Sequence, residues 1–465
     1  MPFNQLNAED IRALEGICAG GVLTGEGIGE DFRHDEMPIY GSFAPEALVM
    51  PATAAEVSAV MAYCHARHIP VTPRGAGTGL CGGAVPIYGG VLLSTQRMNR
   101  ILALDRDNLC VTAEPGVLLM ELAAFALEND LFYPPEPGEK SATLGGNVMT
   151  NAGGMKAVRY GVTRDYVLGM EVVLPDGRVL ELGGKLSKNS SGYSLLHLMI
   201  GSEGTLGVVT KLILRLIPKP AKTISLLVPF DSLEDCIGTV PKLLTSNLNP
   251  TAVEFMQREV IIESETYLGT SFPDKSADVY LLLSFDGGSL DEVERMCARA
   301  AEICIASGAR DVLYADTTER LAGLWGARGA FLEAIKSSTG EMDECDVVVP
   351  RNQIPAFVTF TNSLERELGV RIRYFGHAGD GNIHIYVCRD SLPEAEWTQK
   401  LDAAMQRLYK KAAQLAGKVS GEHGIGHAKI GFLRESEGAL YMELIAGVKR
   451  AFDPTGILNP GKVVG

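Results

Sequence analysis

No Cys-x-x-Cys pair occurs in this 465-residue chain, and its nine cysteines (18, 64, 81, 110, 236, 297, 304, 345 and 388) are scattered and odd in number. That pattern argues against a disulfide framework and against an iron–sulfur cluster held by this chain, and points to reduced thiols in a cytosolic protein. A basic excess is missing as well. Lys and Arg total 42 against 57 Asp and Glu, a net charge of -15, whereas a nucleic-acid partner calls for a basic face. A small acidic substrate stays open, because a few buried cations can override the overall field. The first twenty residues lack the basic start and apolar core of a secretory signal. The longest apolar runs, such as 116–127, are short and interrupted by Glu121, so no transmembrane span is expected. The expectation is a cytoplasmic protein, with peripheral docking on a membrane complex left open. No internal repeat or low-complexity segment is present.

What is present is an ordinary globular composition, 46% apolar and 21% charged, in a chain long enough for two or three domains. Residues 1–40 read as a helical lead-in and an acidic loop. Thr53 with Glu56 suggests a capping box, after which Val57, Val60, Met61 and Cys64 share one helical face. A hairpin is expected at Met170–Leu174 and Val179–Leu182 around Pro175-Asp176-Gly177, and a strand at 207–217. Pro218-Lys219-Pro220 marks a domain boundary, since two prolines block both helix and ladder. Beyond it, strands at 224–228, 279–285, 346–349 and 372–375 alternate with helices at 231–246, 290–307 and 352–368. A long helix at 394–416 carries Trp397, Leu401, Ala404, Leu408 and Leu415 on one side, with Gly417 at its C-cap. A helix and a Pro/Gly-rich tail close the chain.

The first chemical signal is glycine. Pro73-Arg74-Gly75-Ala76-Gly77-Thr78-Gly79 resembles a dinucleotide fingerprint at first sight, but the third glycine and the following helix are misplaced. A loop whose successive N–H groups form an anion-binding nest is the better reading. A second segment, Thr143-Leu144-Gly145-Gly146-Asn147 with Asn151-Ala152-Gly153-Gly154, reads as another loop without helical periodicity. A third runs from Gly201 through Glu203 and Gly204 to Gly207. Three such loops within about 150 residues cost much chain entropy. Close backbone approach to an extended ligand explains them better than three independent turns.

The second signal is histidine, of which there are only eight. In Gly376-His377-Ala378-Gly379-Asp380-Gly381-Asn382-Ile383-His384, Asp380-Gly381 suits a two-residue type I′ hairpin turn. Such a turn would set His377 directly opposite His384, where two imidazoles can share one divalent metal. The bland alternative is two half-buried histidines stacked across a ladder. Further on, Ser420-Gly421-Glu422-His423-Gly424-Ile425-Gly426-His427 puts a carboxylate beside a histidine. Gly424 and Gly426 argue against a helix there, so the backbone would turn Glu422 and His423 in divergent directions.

These segments carry a resemblance. PRGAGTGLCGGAVP, TLGGNVMTNAGG with Arg159-Tyr160-Gly161, and GSEGTLGVVT are similar to the FAD-binding domain of vanillyl-alcohol-oxidase-type (p-cresol-methylhydroxylase-type) flavoproteins. GHAGDGNIH, SGEHGIG and Phe452-Asp453-Pro454…Asn459-Pro460-Gly461-Lys462 resemble the FAD-linked D-2-hydroxy-acid dehydrogenases, the D-lactate dehydrogenase and glycolate oxidase catalytic-subunit type. The resemblance implies an α+β fold: a two-subdomain FAD-binding domain at 1–220, an α+β cap domain with an antiparallel sheet at 221–416, and a segment at 417–465 returning to the active site. It places FAD on Arg74, Gly75, Ala76, Gly77, Thr78, Gly79, Thr143, Gly146, Asn147, Asn151, Gly153, Gly154, Tyr160, Gly161, Glu203, Gly204, Val208 and Asn459. With no histidine between His68 and His197, the FAD is expected to be non-covalent. The resemblance also assigns one divalent metal (zinc, iron or manganese) to His377, His384 and Glu422, the catalytic base to His423, and the substrate-carboxylate anchor to Arg328.

Two departures from the 2-hydroxyglutarate branch, Tyr386 and Glu344, point to a short monocarboxylate, D-lactate or glycolate, rather than a dicarboxylate. Electrons would pass to a partner, an electron-transferring flavoprotein or an iron–sulfur subunit. The rival readings are a non-catalytic FAD-binding electron-transfer subunit of a multi-subunit oxidase, a non-redox ether-lipid synthase on the same fold, and a plain metal-binding or structural protein.

Overall fold

A computed structural model describes residues 2–465. The chain forms two compact units. The first comprises the residues up to Gly153, then Val162–Lys219 and Glu422–Gly465; the second comprises Gly154–Gly161 and Pro220–Gly421.

The first unit is built on two main sheets. A four-stranded sheet runs in the order Val22–Thr24, Ala47–Val49, Val91–Ser94, Val71–Arg74, and its last three strands are parallel. Both faces of these strands are covered, so they read as short apolar runs rather than alternations. The helix Ala54–Arg67 packs beside them. Thr53 Oγ1 accepts from Glu56 N at 3.2 Å, and Val57, Val60, Met61 and Cys64 form the buried face. Glu56 reaches back to Ala52 N rather than Thr53 N, so the cap is an N-cap and not a full box. A five-stranded antiparallel sheet follows in the order Ile101–Asp105, Cys110–Ala113, Val208–Arg215, Val167–Val173, Val179–Gly183. Its last pair is the hairpin read from the sequence.

The chain's last segment returns to this unit: Val71 N donates to Ile457 O and Asn459 N to Val71 O, at 2.8 and 2.7 Å. Asp453 organises the turn before it, accepting from the amides of Gly456, Ile457 and Leu458.

The second unit carries one seven-stranded sheet, ordered Leu313–Ala315, Lys222–Phe230, Val279–Gly287, Ala252–Gln257, Arg371–His377, Asn382–Cys388, Met342–Val348. Every neighbouring pair is antiparallel. Helices including Leu290–Ala306, Thr318–Gly329, Ile354–Leu368 and Glu394–Gln414 belong to the same unit.

Two further expectations are corrected, and one strand was not anticipated. Leu144–Thr150 is a short helix capped by Thr143, whose side chain accepts from Gly146 N, rather than a loop; the cap outweighs the glycines' low propensity. The helix Glu394–Gln414 ends through Ala416, at φ 60, and not through Gly417. The strand Ala252–Gln257 is buried at every position, so it lacked the alternation that marks a half-exposed strand. Among the described residues, no helix is long and apolar enough to cross a membrane.

Candidate active site

The second unit brings its polar side chains together by strand register. Glu254 lies opposite His377, and Phe375 opposite His384. Asp346 pairs with His384, and Glu344 with Tyr386. Alternate residues of a strand share a face, so Glu254, His377, His384, Tyr386, Glu344 and Asp346 occupy one side of four adjacent strands.

The turn differs from expectation. A type I′ turn needs positive φ at both central residues, and here Gly381 has it (φ 94) while Asp380 does not. The loop widens to 378–381, with Asp380 N and Gly381 N both donating to His377 O at 3.2 and 2.9 Å. His377 therefore faces Asn382, and His384 is its diagonal neighbour. The register change is an even number, so both histidines stay on one face. Their Nε2 atoms lie 3.3 Å apart with the rings nearly perpendicular.

Each imidazole has carboxylate oxygen on its Nδ1 side. His377 Nδ1 is 2.7 Å from Glu254 Oε1. His384 Nδ1 is 3.6 Å from Glu344 Oε1 and 3.7 Å from Asp346 Oδ1. Glu254, Glu344 and Asp346 are fully buried. Burial works to raise the Glu254 carboxyl, but the charges of His377 and Arg328 and their hydrogen bonds outweigh it and hold it below its ordinary range. Arg328, near the end of Thr318–Gly329, donates Nε and Nη2 to Glu254 Oε2 at 2.9 and 2.7 Å. Its guanidinium lies 4.5 Å from the Phe375 ring centroid, an arrangement favourable to a cation. Tyr386 Oη donates to Glu344 at 2.8 Å. Burial and the Glu344 carboxylate push the Tyr386 phenol well above its usual value.

This donor set fits a metal. The hydrogen bond between His377 Nδ1 and Glu254 leaves the His377 Nε2 lone pair outward, the usual arrangement behind a histidine ligand. Two imidazole nitrogens bound to one tetrahedral ion at about 2.1 Å would stand roughly 3.4 Å apart, close to the 3.3 Å between His377 Nε2 and His384 Nε2.

The remaining expected ligand, Glu422, is the first residue of the last segment of the first unit. Ser420 Oγ and Gly421 N both bond Asp346 Oδ2, at 2.8 and 3.0 Å, and Glu422 is the next residue. In the first unit, His423 Nε2 lies 3.5 Å from Glu422 Oε1, and both side chains are mostly buried. A Cβ on Gly153 would press on the Glu422 side chain.

Also in the first unit, the backbone amides of Ala76, Gly77, Thr78 and Gly79 donate to no acceptor among the described residues. Four consecutive free donors on a loop with Gly77 at φ 81 form a nest that fits a pyrophosphate. Arg74 supports this loop from behind, its guanidinium donating to the carbonyls of Asp31, His34 and Ala84. Gly75 leaves no room for a Cβ against Thr143, so the first loop lies directly on the cap of the short helix that carries Gly146 and Asn147. Asn151 takes the left-handed conformation, its side chain accepting from Arg164 N.

Glu203 holds the returning segment, accepting from Ile425 N and Gly426 N at 2.7 Å each. Burial pushes its carboxyl up despite those bonds. The Asn459 amide ties Gly83 O to Glu203 O. Gly204, at φ 68, packs on Pro73, and Val208 begins a strand. Gly154, Tyr160 and Gly161 belong to the second unit, where Tyr160 Oη donates to Asp286 at 2.8 Å.

Sequence reasoning passed over Glu254 and Asp346. The signal was there: an acid inside the apolar run Ala252-Val253-Glu254-Phe255-Met256, where a charge has no place without a partner.

Residues 45–183 match the FAD binding domain family, and residues 219–463 match the family of FAD linked oxidases, C-terminal domain. The chain is 51% identical to the D-lactate dehydrogenase of Anaerostipes hadrus, over 99% of this chain and 98% of that one. It is 36% identical to the glycolate oxidase subunit GlcD of Bacillus subtilis (strain 168), over 93% and 91%. The crystal structure of p-cresol methylhydroxylase aligns with a TM-score of 0.81 at 19% identity, covering 98% of this chain and 96% of that one, which shows the shared fold. The chain belongs to the FAD-linked oxidases, in the branch of the D-lactate dehydrogenases and glycolate oxidase subunits.

Proposed function

We propose that this protein oxidises the C2 hydroxyl of a short 2-hydroxy monocarboxylate, D-lactate or glycolate, to the 2-oxo acid with the help of one divalent metal. The observation that carries this reading is the pair of imidazole Nε2 atoms 3.3 Å apart, backed by buried carboxylates and flanked by Arg328. The names of the relatives, D-lactate dehydrogenase and glycolate oxidase subunit, support the substrate class.

Bound non-covalently, FAD would supply the two-electron acceptor, while a divalent ion on His377, His384 and Glu422 would supply positive charge that favours the ionised hydroxyl. Arg328 binds the substrate carboxylate and sets the C2 hydroxyl toward the histidines. His423 takes the hydroxyl proton on an imidazole nitrogen. The buried walls of the face keep water from competing for these groups. The Ala76–Gly79 amides hold the cofactor's pyrophosphate, and the 143–154 and 201–208 segments line the rest of it. Electrons then leave to a separate acceptor, an electron-transferring flavoprotein or an iron–sulfur subunit.

Anaerobic titration of the flavin absorbance with D-lactate, L-lactate, glycolate and D-2-hydroxyglutarate, before and after chelation, tests the reading. Bleaching by a short D-acid or glycolate that chelation abolishes is the expected result. Bleaching indifferent to chelation would remove the metal from the reaction, and no bleaching by any of these acids would refute the function.

A further inference from the structure

Resting on that reading, we infer that Glu254 is a positioning residue that joins the substrate anchor to the metal site, one carboxylate orienting both Arg328 and His377. Its two oxygens are divided between the two partners. Oε1 takes His377 Nδ1 at 2.7 Å; Oε2 takes Arg328 Nε at 2.9 Å and Nη2 at 2.7 Å. A residue that merely neutralised Arg328 would not need the histidine.

The location suits such a role. Ala252–Gln257 is flanked by Val279–Gly287 on one side and Arg371–His377 on the other, so its backbone has little freedom. The Glu254 side chain is wholly buried, and water cannot replace either bond. His377, facing it across the ladder, is thereby held with Nδ1 as donor and Nε2 turned toward His384. Arg328 comes from a helix 74 residues along the chain and rests on the rings of Phe375 and Phe331. Glu254 occupies its Nε and Nη2, and Nη1 makes no hydrogen bond among the described residues. That nitrogen is the one left for a substrate carboxylate. Glu254 therefore sets the distance between the group that binds the acid and the group that binds the ion.

The test uses the FAD-loaded protein and its Glu254→Gln variant. Glutamine has the same shape but one acceptor oxygen, so it can satisfy His377 or Arg328 and not both. Two quantities are read: Zn2+ affinity by competition with a chromogenic chelator, and the KM and kcat for D-lactate. Glu254→Gln is expected to weaken Zn2+ by about 10- to 100-fold, as loss of a carboxylate behind a histidine ligand does, and to raise KM by roughly 10-fold, the worth of one hydrogen bond to a charged group. The flavin spectrum should be unchanged. Arg328→Lys should raise KM while leaving Zn2+ affinity as in the parent.

Zn2+ affinity within about twofold of the parent, or a Zn2+ loss with KM unmoved, would overturn the inference. If Glu254→Gln fails to fold, Glu254→Leu with Arg328→Met removes both buried charges together with the acceptor behind His377, and the same Zn2+ loss is expected of it. A parent protein that D-lactate does not reduce would count against the functional reading instead, and the Zn2+ comparison would still judge Glu254.

Discussion

Replacing Asp453 by Ala should unlock the returning segment and release the cofactor. The Asp453 side chain is completely buried, and Lys449 beside it nearly so, with Lys449 Nζ 2.5 Å from Asp453 Oδ2. The carboxylate accepts from Gly456 N at 3.0 Å, Ile457 N at 3.3 Å and Leu458 N at 2.8 Å. Lys449 also donates to Thr205 O and Leu458 O at 2.8 and 2.7 Å. Alanine would leave the ammonium buried without its counter-ion, a change that costs about 3–5 kcal/mol. At about 2–4 °C per kcal/mol for domains of 150–250 residues, the transition of the first unit should fall by roughly 6–20 °C.

The same segment holds the glycine loop through Asn459 to Gly83 O and Lys462 to Val85 O. FAD release, followed by the rise in flavin fluorescence on heating, should therefore shift with it. Asp453→Asn keeps one acceptor oxygen and should lose less. Lys449→Met with Asp453→Asn removes both charges and should recover part of the loss. An Asp453→Ala protein that releases flavin within about 2 °C of the parent would refute the reasoning.

His423→Ala should leave FAD bound and cut D-lactate-dependent bleaching by about 10²- to 10⁴-fold, the usual worth of a general base; unchanged bleaching under anaerobic stopped flow would exclude that role. Gly381→Ala puts a side chain at φ 94 against Val349 O, costing about 1–2 kcal/mol for the backbone alone. Because that loop joins the strands bearing His377 and His384, chelator competition should show weaker Zn2+ binding at unchanged flavin content. Tyr386→Phe removes a donor 2.8 Å from the buried Glu344 carboxylate. It should lower stability by about 1–3 kcal/mol, read as a fall in the urea midpoint.

Local signals decided much of this protein. Pro218-Lys219-Pro220 can enter neither helix nor ladder, and the helix over 54–67 is written in its Thr53 cap and its 57-60-61-64 stripe. The family was legible because GHAGDGNIH, SGEHGIG and the glycine segments are contiguous strings whose chemistry survives without knowledge of their surroundings. The face shared by His377 and His384 was legible too, because strand parity is a local property that an even register change does not disturb.

Other features belong to the tertiary structure alone. Thr143 turned a glycine-rich stretch into a helix because its side chain found a free amide. Glu254 gained its meaning only when the register set it opposite His377 and a helix from 74 residues away delivered Arg328. A buried charge can exist only where the fold supplies its partners, and partners distant in sequence leave no periodic trace in the strand that holds it. Sequence determines which groups carry the chemistry and which way each strand faces; the assembled sheet decides which of them meet, because hydrogen bonds and ion pairs reach only a few ångströms.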